Sequence, residues 1–284
     1  MSVLSNTYQH ILFESHGAIA YVTMNRPAKR NALSVDHMQE LIGCLKLIGD
    51  RRELAAVIVR GNGPAFCAGH DLAEMIGQSP EFYQHEFAVC AELMQTIIAI
   101  PQPVIAQVHG IATAAGCQLV ATCDLALASE QARFATPGVK IGLFCSTPMV
   151  ALSRAVGRKQ AMEMLLTGEL ISAQAALAYG LVNRVVPADE LADATRALAE
   201  QIAHASPLVV GIGKQAFYRQ LDLPLPEAYA YANKVMVANA ALEDAQEFKR
   251  LVSDTEFEAF IKRIIAVEIE ASEEQAGLWA VTPR

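Results

Sequence analysis

The chain has 284 residues, 53% of them hydrophobic and 18% charged, and its 30 acidic and 22 basic residues leave a net charge of −8. That length and hydrophobic share are enough for a full enzyme core in one or two domains and exclude a disordered chain. The acidic balance argues against a general nucleic-acid binder, which carries a basic patch.

The longest uncharged stretch, Leu93 to Cys123, is interrupted by Pro101, Pro103, Gly110 and Gly116, so no membrane span is expected. Residues 1–10 carry neither a basic patch nor a long apolar run, so no signal or transit peptide is expected. Six cysteines, none spaced C-x-x-C, read as reduced thiols in a cytoplasmic protein.

In chain order, His10 to Glu14, Gly17 and Ala18 to Met24 predict a hairpin, which Asn25-Arg26-Pro27 ends. Ser34 can cap a helix whose apolar stripe is Val35, Met38, Leu41, Ile42, Leu45 and Ile48. Ala55 to Val59 reads as a strand. A helix follows over Glu81 to Ile100, with Phe82, Phe87, Cys90, Leu93, Met94 and Ile97 among its apolar positions. Val104 to Val108 is a buried strand, His109 to Gly116 a loop of small residues, Cys117 to Cys123 a helix and Leu125 to Ala128 a strand. Strands of continuous apolar character alternating with helices indicate an α/β protein with buried sheets.

After Cys145 the chain reads as helical, broken by one strand at Leu181 to Val186; Ser172 and Gly180 bound a helix over Ala173 to Tyr179. A soft boundary near residue 205 separates a core, 1–205, from a helical part, 206–284. Within that part Phe257, Phe260, Ile261 and Ile264 fall on one helix side.

Two segments carry candidate chemistry: Pro64 to Leu72 and His109 to Cys117, each between a strand and a helix. Each offers backbone N–H groups at a helix N-terminus, where amides lack intrahelical partners and the helix dipole is positive. Two such donors converging on one point would make an oxyanion hole.

Over residues 10–247 the chain resembles the crotonase, or enoyl-CoA hydratase/isomerase, superfamily. The resemblance is carried by Asn25-Arg26-Pro27 through Asn31-Ala32-Leu33, Phe66 to Met75, Pro103 to Ala106, Gly116-Cys117, Cys123-Asp124, Phe134 to Pro137, Leu166 to Glu169, Ile171 to Ala173 and Gly180 to Val182, in that order. It implies a ClpP/crotonase-like spiral of repeated ββα units with a helical C-terminal part that makes homotrimers or hexamers. It also implies an acyl-CoA thioester as substrate, coenzyme A entering as part of the substrate, with no other cofactor and no metal.

By position, the two oxyanion donors fall on the N–H groups of His70 and Ala115. Most relatives have Gly at the latter place, so strain is expected at Ala115 if the position needs a positive φ. Coenzyme A contacts fall on Lys29, Arg30, Ala32, Leu33, Ala68, Gly69, Asp71, Leu72 and Gly116, with the two bases meeting phosphate.

The two glutamates of active hydratases are replaced by Gln118 and Gly138, and the place used by some isomerases falls near Ser146, so no carboxylate stands at any of the three. Gln118 is expected to orient water or substrate without acting as a base. Loss of both acids should leave ordinary hydration slow. His70, Asp71, Glu74, His85, Glu86, His109 and Cys145 are the candidates to replace them. Among these His85 and Glu86 are expected on a solvated helix face, His109 in a hydrogen-bonded core role, Cys145 as an inert small residue, and Asp71 and Glu74 in capping. Lys262 and Arg263 could supply the C-terminal coenzyme A contact seen in relatives. Hydratase or isomerase chemistry, base-free decarboxylation or thioester hydrolysis, and acyl-CoA binding without catalysis all remain open from the residues.

Overall fold

The computed structural model describes residues 8–245, so the expected C-terminal positions Phe257, Phe260, Ile261, Lys262, Arg263 and Ile264 lie outside the described residues. The chain begins with β1 (Ile11–His16) and β2 (Ile19–Met24), joined at Gly17 with φ +58° and paired antiparallel from Ile11 opposite Met24 to His16 opposite Ile19. A 3-10 turn at Pro27–Lys29 leads to α1 (Val35–Gly49). The Ser34 hydroxyl caps α1 by accepting the His37 amide, and Met38, Leu41, Leu45 and Ile48 bury its apolar side.

Three similar turns of chain follow. In the first, β3 (Ala56–Gly61) and β4 (Ala65–Cys67) lead to α2 (Leu72–Met75) and α3 (Pro80–Ala99). In the second, β5 (Val104–Val108) and β6 (Ile111–Thr113) lead to α4 (Ala115–Thr122). In the third, β7 (Leu125–Ser129) and β8 (Arg133–Ala135) lead through a 3-10 turn at Pro137–Ile141 to α5 (Ser146–Ala155). The chain continues through α6 (Arg158–Thr167), β9 (Ile171–Ser172), α7 (Ala173–Tyr179), β10 (Arg184–Val186), α8 (Leu191–Ala203) and α9 (Pro207–Leu221) to α10 (Leu225–Ala240).

The first strand of each turn joins a six-stranded sheet ordered β1-β2-β3-β5-β7-β10, parallel except at β1. The second joins a four-stranded sheet ordered β4-β6-β8-β9, antiparallel only at β9. This is a crotonase-type spiral of ββα units with a helical C-terminal part.

Two expectations need correction. The loops at 64–72 and 109–116 each contain a three-residue strand, β4 and β6. Strands so short show no alternation of their own; they exist because successive turns of the spiral pair them, Cys67 opposite Ala112 and Thr113 opposite Ala135. After Cys145 there are two strands among the described residues, β9 being only two residues long.

The larger sheet is covered on both faces, which is why its strands read as continuous apolar runs. On one face Val22, Val57, Val59, Val104 and Ala106 join α1 and α3 in a large apolar core. On the other, Ile19, Tyr21, Ile58, Ile105 and Leu127 meet Leu191 and Ala199 of α8.

The described residues form two compact units, one ending at Arg219 and one beginning at Gln220. Within the first, α9 is tied to the sheet by a buried cation. Lys214 Nζ pairs with Asp124 at 2.7 Å and donates to the carbonyls of Ile97 and Gln102. Asp124 also accepts the Val104 amide and the Tyr218 hydroxyl. Among the described residues no helix is long and apolar enough to cross a membrane.

Candidate active site

Pairing between β4 and β6 brings the two candidate loops side by side. At Gly69, with φ +94°, a Cβ would lie 2.8 Å from the Ala114 Cβ, 3.0 Å from the Thr113 carbonyl and 3.3 Å from the Ala115 nitrogen. Only glycine leaves room for that approach. The Thr113 hydroxyl donates to the Ala68 carbonyl at 3.1 Å, and a Cβ at Gly116 would lie 2.2 Å from the Cys67 carbonyl. The loops are therefore in contact from Cys67 to Gly69 and from Thr113 to Gly116.

Backbone pairing decides which amides remain free. Leu33 bridges His70 in parallel: its N–H donates to the Gly69 carbonyl and its carbonyl accepts the Asp71 amide. Those bonds use the neighbours on either side of His70, so the His70 N–H points to the opposite side of the loop. On the other loop, Ala114 N–H donates to the Ala135 carbonyl, and the first bond of α4 runs from Gln118 N–H to the Ala114 carbonyl. Ala115 is the first residue of α4, so its N–H has no intrahelical acceptor. Among the described residues neither the His70 nor the Ala115 amide has a protein acceptor.

Backbone strain falls one residue earlier than expected. The left-handed φ belongs to Ala114, at +51° with ψ −119°, while Ala115 is helical. The tight entry into α4 is made by the residue before the donor.

The expected coenzyme A segment lies next to this pair. Lys29 and Arg30 are exposed, and the Arg30 carbonyl accepts the Ala68 amide. Leu72, at the start of α2, is half exposed. Ala32 is nearly buried and Leu33 wholly so, which puts Leu33 in the core and corrects its expected place lining a ligand with its side chain: its part is to position His70 through the backbone. Asp71 does more than cap. It accepts the Ala73 amide and forms an ion pair with Arg26 at 2.9 Å, and Arg26 also donates to the Ala32 carbonyl, so one guanidinium joins the two segments.

The side chains named as candidate acids and bases now separate. His85 is exposed, as expected. The His109 ring bonds to the Gly63 carbonyl at 2.8 Å. The Cys145 thiol accepts the Gly138 amide, and burial pushes its pKa up, which disfavours a thiolate nucleophile. Glu74 accepts the Val35 amide at the start of α1.

Glu86 is the correction. It is 0% exposed, not on a solvated face, and neither carboxyl oxygen has a hydrogen-bond partner. Burial raises its pKa to about 7, with the charges of Glu74 and Asp71 adding to the effect.

Side chains of α3 lie over both loops. Phe87 meets the His70 ring edge-on with centroids 5.5 Å apart, and the Cys90 thiol donates to Gln118 Oε1 at 3.8 Å. Glu86 precedes Phe87 and sits one helical turn from Cys90 on the same face. His70 Nε2 is buried without a partner, and burial pulls that imidazole down to about 4, so it is neutral at physiological pH. No group of three or more metal-ligating side chains occurs among the described residues.

A spiral of ββα units with two free amides on touching loops defines the class. The enoyl-CoA hydratase/isomerase family model matches residues 14–253, and the chain belongs to that family. Members act on acyl-CoA substrates and typically oligomerise.

Among its relatives, the chain is 48% identical over 247 residues to enoyl-CoA hydratase domain-containing protein 3, mitochondrial, of Xenopus laevis, covering 87% of this chain and 84% of that one. The Homo sapiens protein of the same name is 49% identical over 230 residues, covering 81% and 76%. A crystal structure of that human protein superposes with a TM-score of 0.84 at 45% identity, covering 86% of this chain and 97% of that one. An enoyl-CoA hydratase structure from Mycobacterium smegmatis gives 0.84 at 46%, covering 86% and 95%. These relatives of domain-containing protein 3 type are named mitochondrial, which overturns the expectation of a cytoplasmic protein drawn from cysteine usage.

Proposed function

We propose that this protein is an acyl-CoA enzyme that holds the thioester oxygen between the N–H groups of His70 and Ala115 and stabilises an enolate there. The observation that supports the reading is the pair of unsatisfied amides on loops in mutual contact, one at the start of a helix. A donor of this kind contributes roughly 2.7–4 kcal/mol to a transition state in other enzymes.

In this reading Lys29 and Arg30 meet the phosphates of coenzyme A. Ala32, Ala68, Gly69, Asp71, Leu72 and Gly116 shape its path, and Leu33 supports it from beneath. Gln118, held by Cys90, orients substrate or water. Coenzyme A is part of the substrate and no further cofactor is needed. The assembly is a homotrimer or hexamer.

Efficient hydration is not the activity proposed, because Gln118 and Gly138 supply no carboxylate at the two places where hydratases have one. The test is to incubate purified protein with crotonyl-CoA, a β,γ-enoyl-CoA, methylmalonyl-CoA and a saturated acyl-CoA and weigh the products. Double-bond migration or loss of CO₂ supports enolate chemistry. Fast gain of water would refute the argument from Gln118 and Gly138. Binding of all four with no turnover would leave a non-catalytic acyl-CoA-binding protein.

A further inference from the structure

We infer that Glu86 is the group that removes and returns a proton at the carbon next to the thioester carbonyl. This rests on the acyl-CoA enolate reading above and supplies the acid–base residue that reading lacks.

Asp71 is engaged by Arg26 and the Ala73 amide, Glu74 by the Val35 amide, His109 by the Gly63 carbonyl and Cys145 by the Gly138 amide. Glu86 alone among these candidates is fully buried with both oxygens unsatisfied. A carboxyl group in that state costs stability, since it gives up water for nothing. Such groups cluster where a perturbed acid is used.

Its position fits the use. The next residue on α3, Phe87, lies against His70, the first oxyanion donor. The residue one turn on, Cys90, lies against Gln118 on α4, the helix that begins with the second donor. Glu86 is thus carried on α3 next to Phe87, which meets the His70 ring, and one turn from Cys90, which meets Gln118. The buried, unpartnered His70 Nε2 belongs to the same neighbourhood.

The step balances with one carboxylate. Glu86 takes the α-proton, the C–H electron pair becomes the Cα–C1 double bond, and the carbonyl pair moves onto the oxygen held by the two amides. The protonated Glu86 then returns a proton to Cα, giving exchange, or to Cγ of a β,γ-unsaturated chain, which moves the double bond into conjugation. No oxidant, water or second acid is consumed.

The experiment uses the full chain with 3-hexenoyl-CoA in deuterium oxide, following deuterium uptake by mass and conjugation by absorbance. The wild-type protein should incorporate deuterium, and Glu86→Gln should lower that rate by about 10²–10⁴-fold while binding the thioester as well as wild type. The wild-type rate should rise with pH through about 7, where Glu86 ionises. Asp71, paired with Arg26, and Glu74 act on Glu86 from across the helix; Cys90, one turn along α3, and Cys67 beside it have thiols pushed to about 12, and His70, against Phe87, is pulled to about 4. None of the three groups with a displaced pKa titrates near 7.

If Glu86→Gln exchanges within about threefold of wild type, Glu86 is not the proton carrier, and the enolate reading stands. If wild type binds the thioester and incorporates nothing, both fall. A wild-type rate independent of pH from about 5 to 9 would also overturn the assignment without any variant.

Discussion

The backbone at Gly138 is closed off by Leu143: a Cβ there would lie 1.9 Å from the Leu143 carbonyl oxygen and 2.8 Å from the Cys145 sulfur. The Leu143 amide in turn donates to the Gly138 carbonyl at 2.9 Å. Position 138, where the resemblance led us to expect a glutamate in active hydratases, therefore has no room for a side chain.

Restoring that residue should fail. Gly138→Glu forces the 138–145 loop apart, a cost of at least 1–3 kcal/mol by comparison with overpacked cores. It should lower the midpoint of thermal unfolding and add no measurable hydration of crotonyl-CoA. A stable variant that hydrates crotonyl-CoA would show that the loop opens readily.

The contact between Gly69 and Ala114 gives a second prediction. Gly69→Ala meets both a φ of +94° and a 2.8 Å approach to the Ala114 Cβ. About 1–2 kcal/mol is expected from the backbone conformation alone, with more from the clash. The variant should lose acyl-CoA turnover even where it folds, because the two amides move apart; circular dichroism and turnover measured on one preparation check both parts.

Ala114 predicts the opposite sign. A non-glycine residue at φ +51° and ψ −119° stores about 1–3 kcal/mol. Glycine relieves this but costs roughly 0.5–1 kcal/mol in unfolded-chain entropy. Ala114→Gly should therefore stabilise the protein by up to about 2 kcal/mol in urea unfolding, with activity kept.

Removing the buried cation should be costly. Lys214→Met leaves Asp124 with the Val104 amide and the Tyr218 hydroxyl but no counter-charge. Breaking a buried pair from one side costs about 3–5 kcal/mol. The double variant Lys214→Met with Asp124→Asn should recover part of this in chemical denaturation, which a purely steric role for Lys214 would not allow.

Glu86 couples stability to pH with a definite sign. Its folded pKa, about 7, lies above the ordinary 4.5, so the folded protein holds the proton more tightly. Its stabilising contribution is complete below about 4.5 and is lost as pH rises to about 7. Glu86→Gln has no such dependence. The variant should gain on wild type by as much as roughly 3 kcal/mol between pH 4 and pH 8. His37 and His70, both pulled down to about 4 by burial, act in the reverse direction but are common to both proteins and cancel. Parallel pH profiles of unfolding free energy for the two proteins would sink the idea.

Much of the fold could be read from local pattern. The α1 stripe from Val35 to Ile48, its Ser34 cap, and the Ser172 and Gly180 limits of α7 are decided by near neighbours. The strands β4, β6 and β9 could not be read, because two or three residues show no period and their partners lie in other turns of the spiral. At the site, local pattern showed only two loops that lead into helices; His70 and Ala115 were singled out through the family resemblance, and the free direction of the His70 amide depends on the distant bridge to Leu33.

Glu86 was partly visible. It stands four residues after Phe82 and four before Cys90, on the face that continues to Leu93 and Ile97, where an acid interrupts an apolar stripe. What the stripe could not show is that Asp71 and Glu74 already have partners, which singles out Glu86.

Two backbone amides that polarise a bound thioester carbonyl would leave a vibrational signature on it. Infrared difference spectroscopy of hexanoyl-CoA labelled with ¹³C at the carbonyl, bound to the wild-type protein, tests this without any turnover. The carbonyl stretch of the bound thioester should shift to lower frequency than in water, as it does when strong donors draw electron density onto oxygen. A bound thioester whose carbonyl vibrates at the aqueous frequency would contradict it.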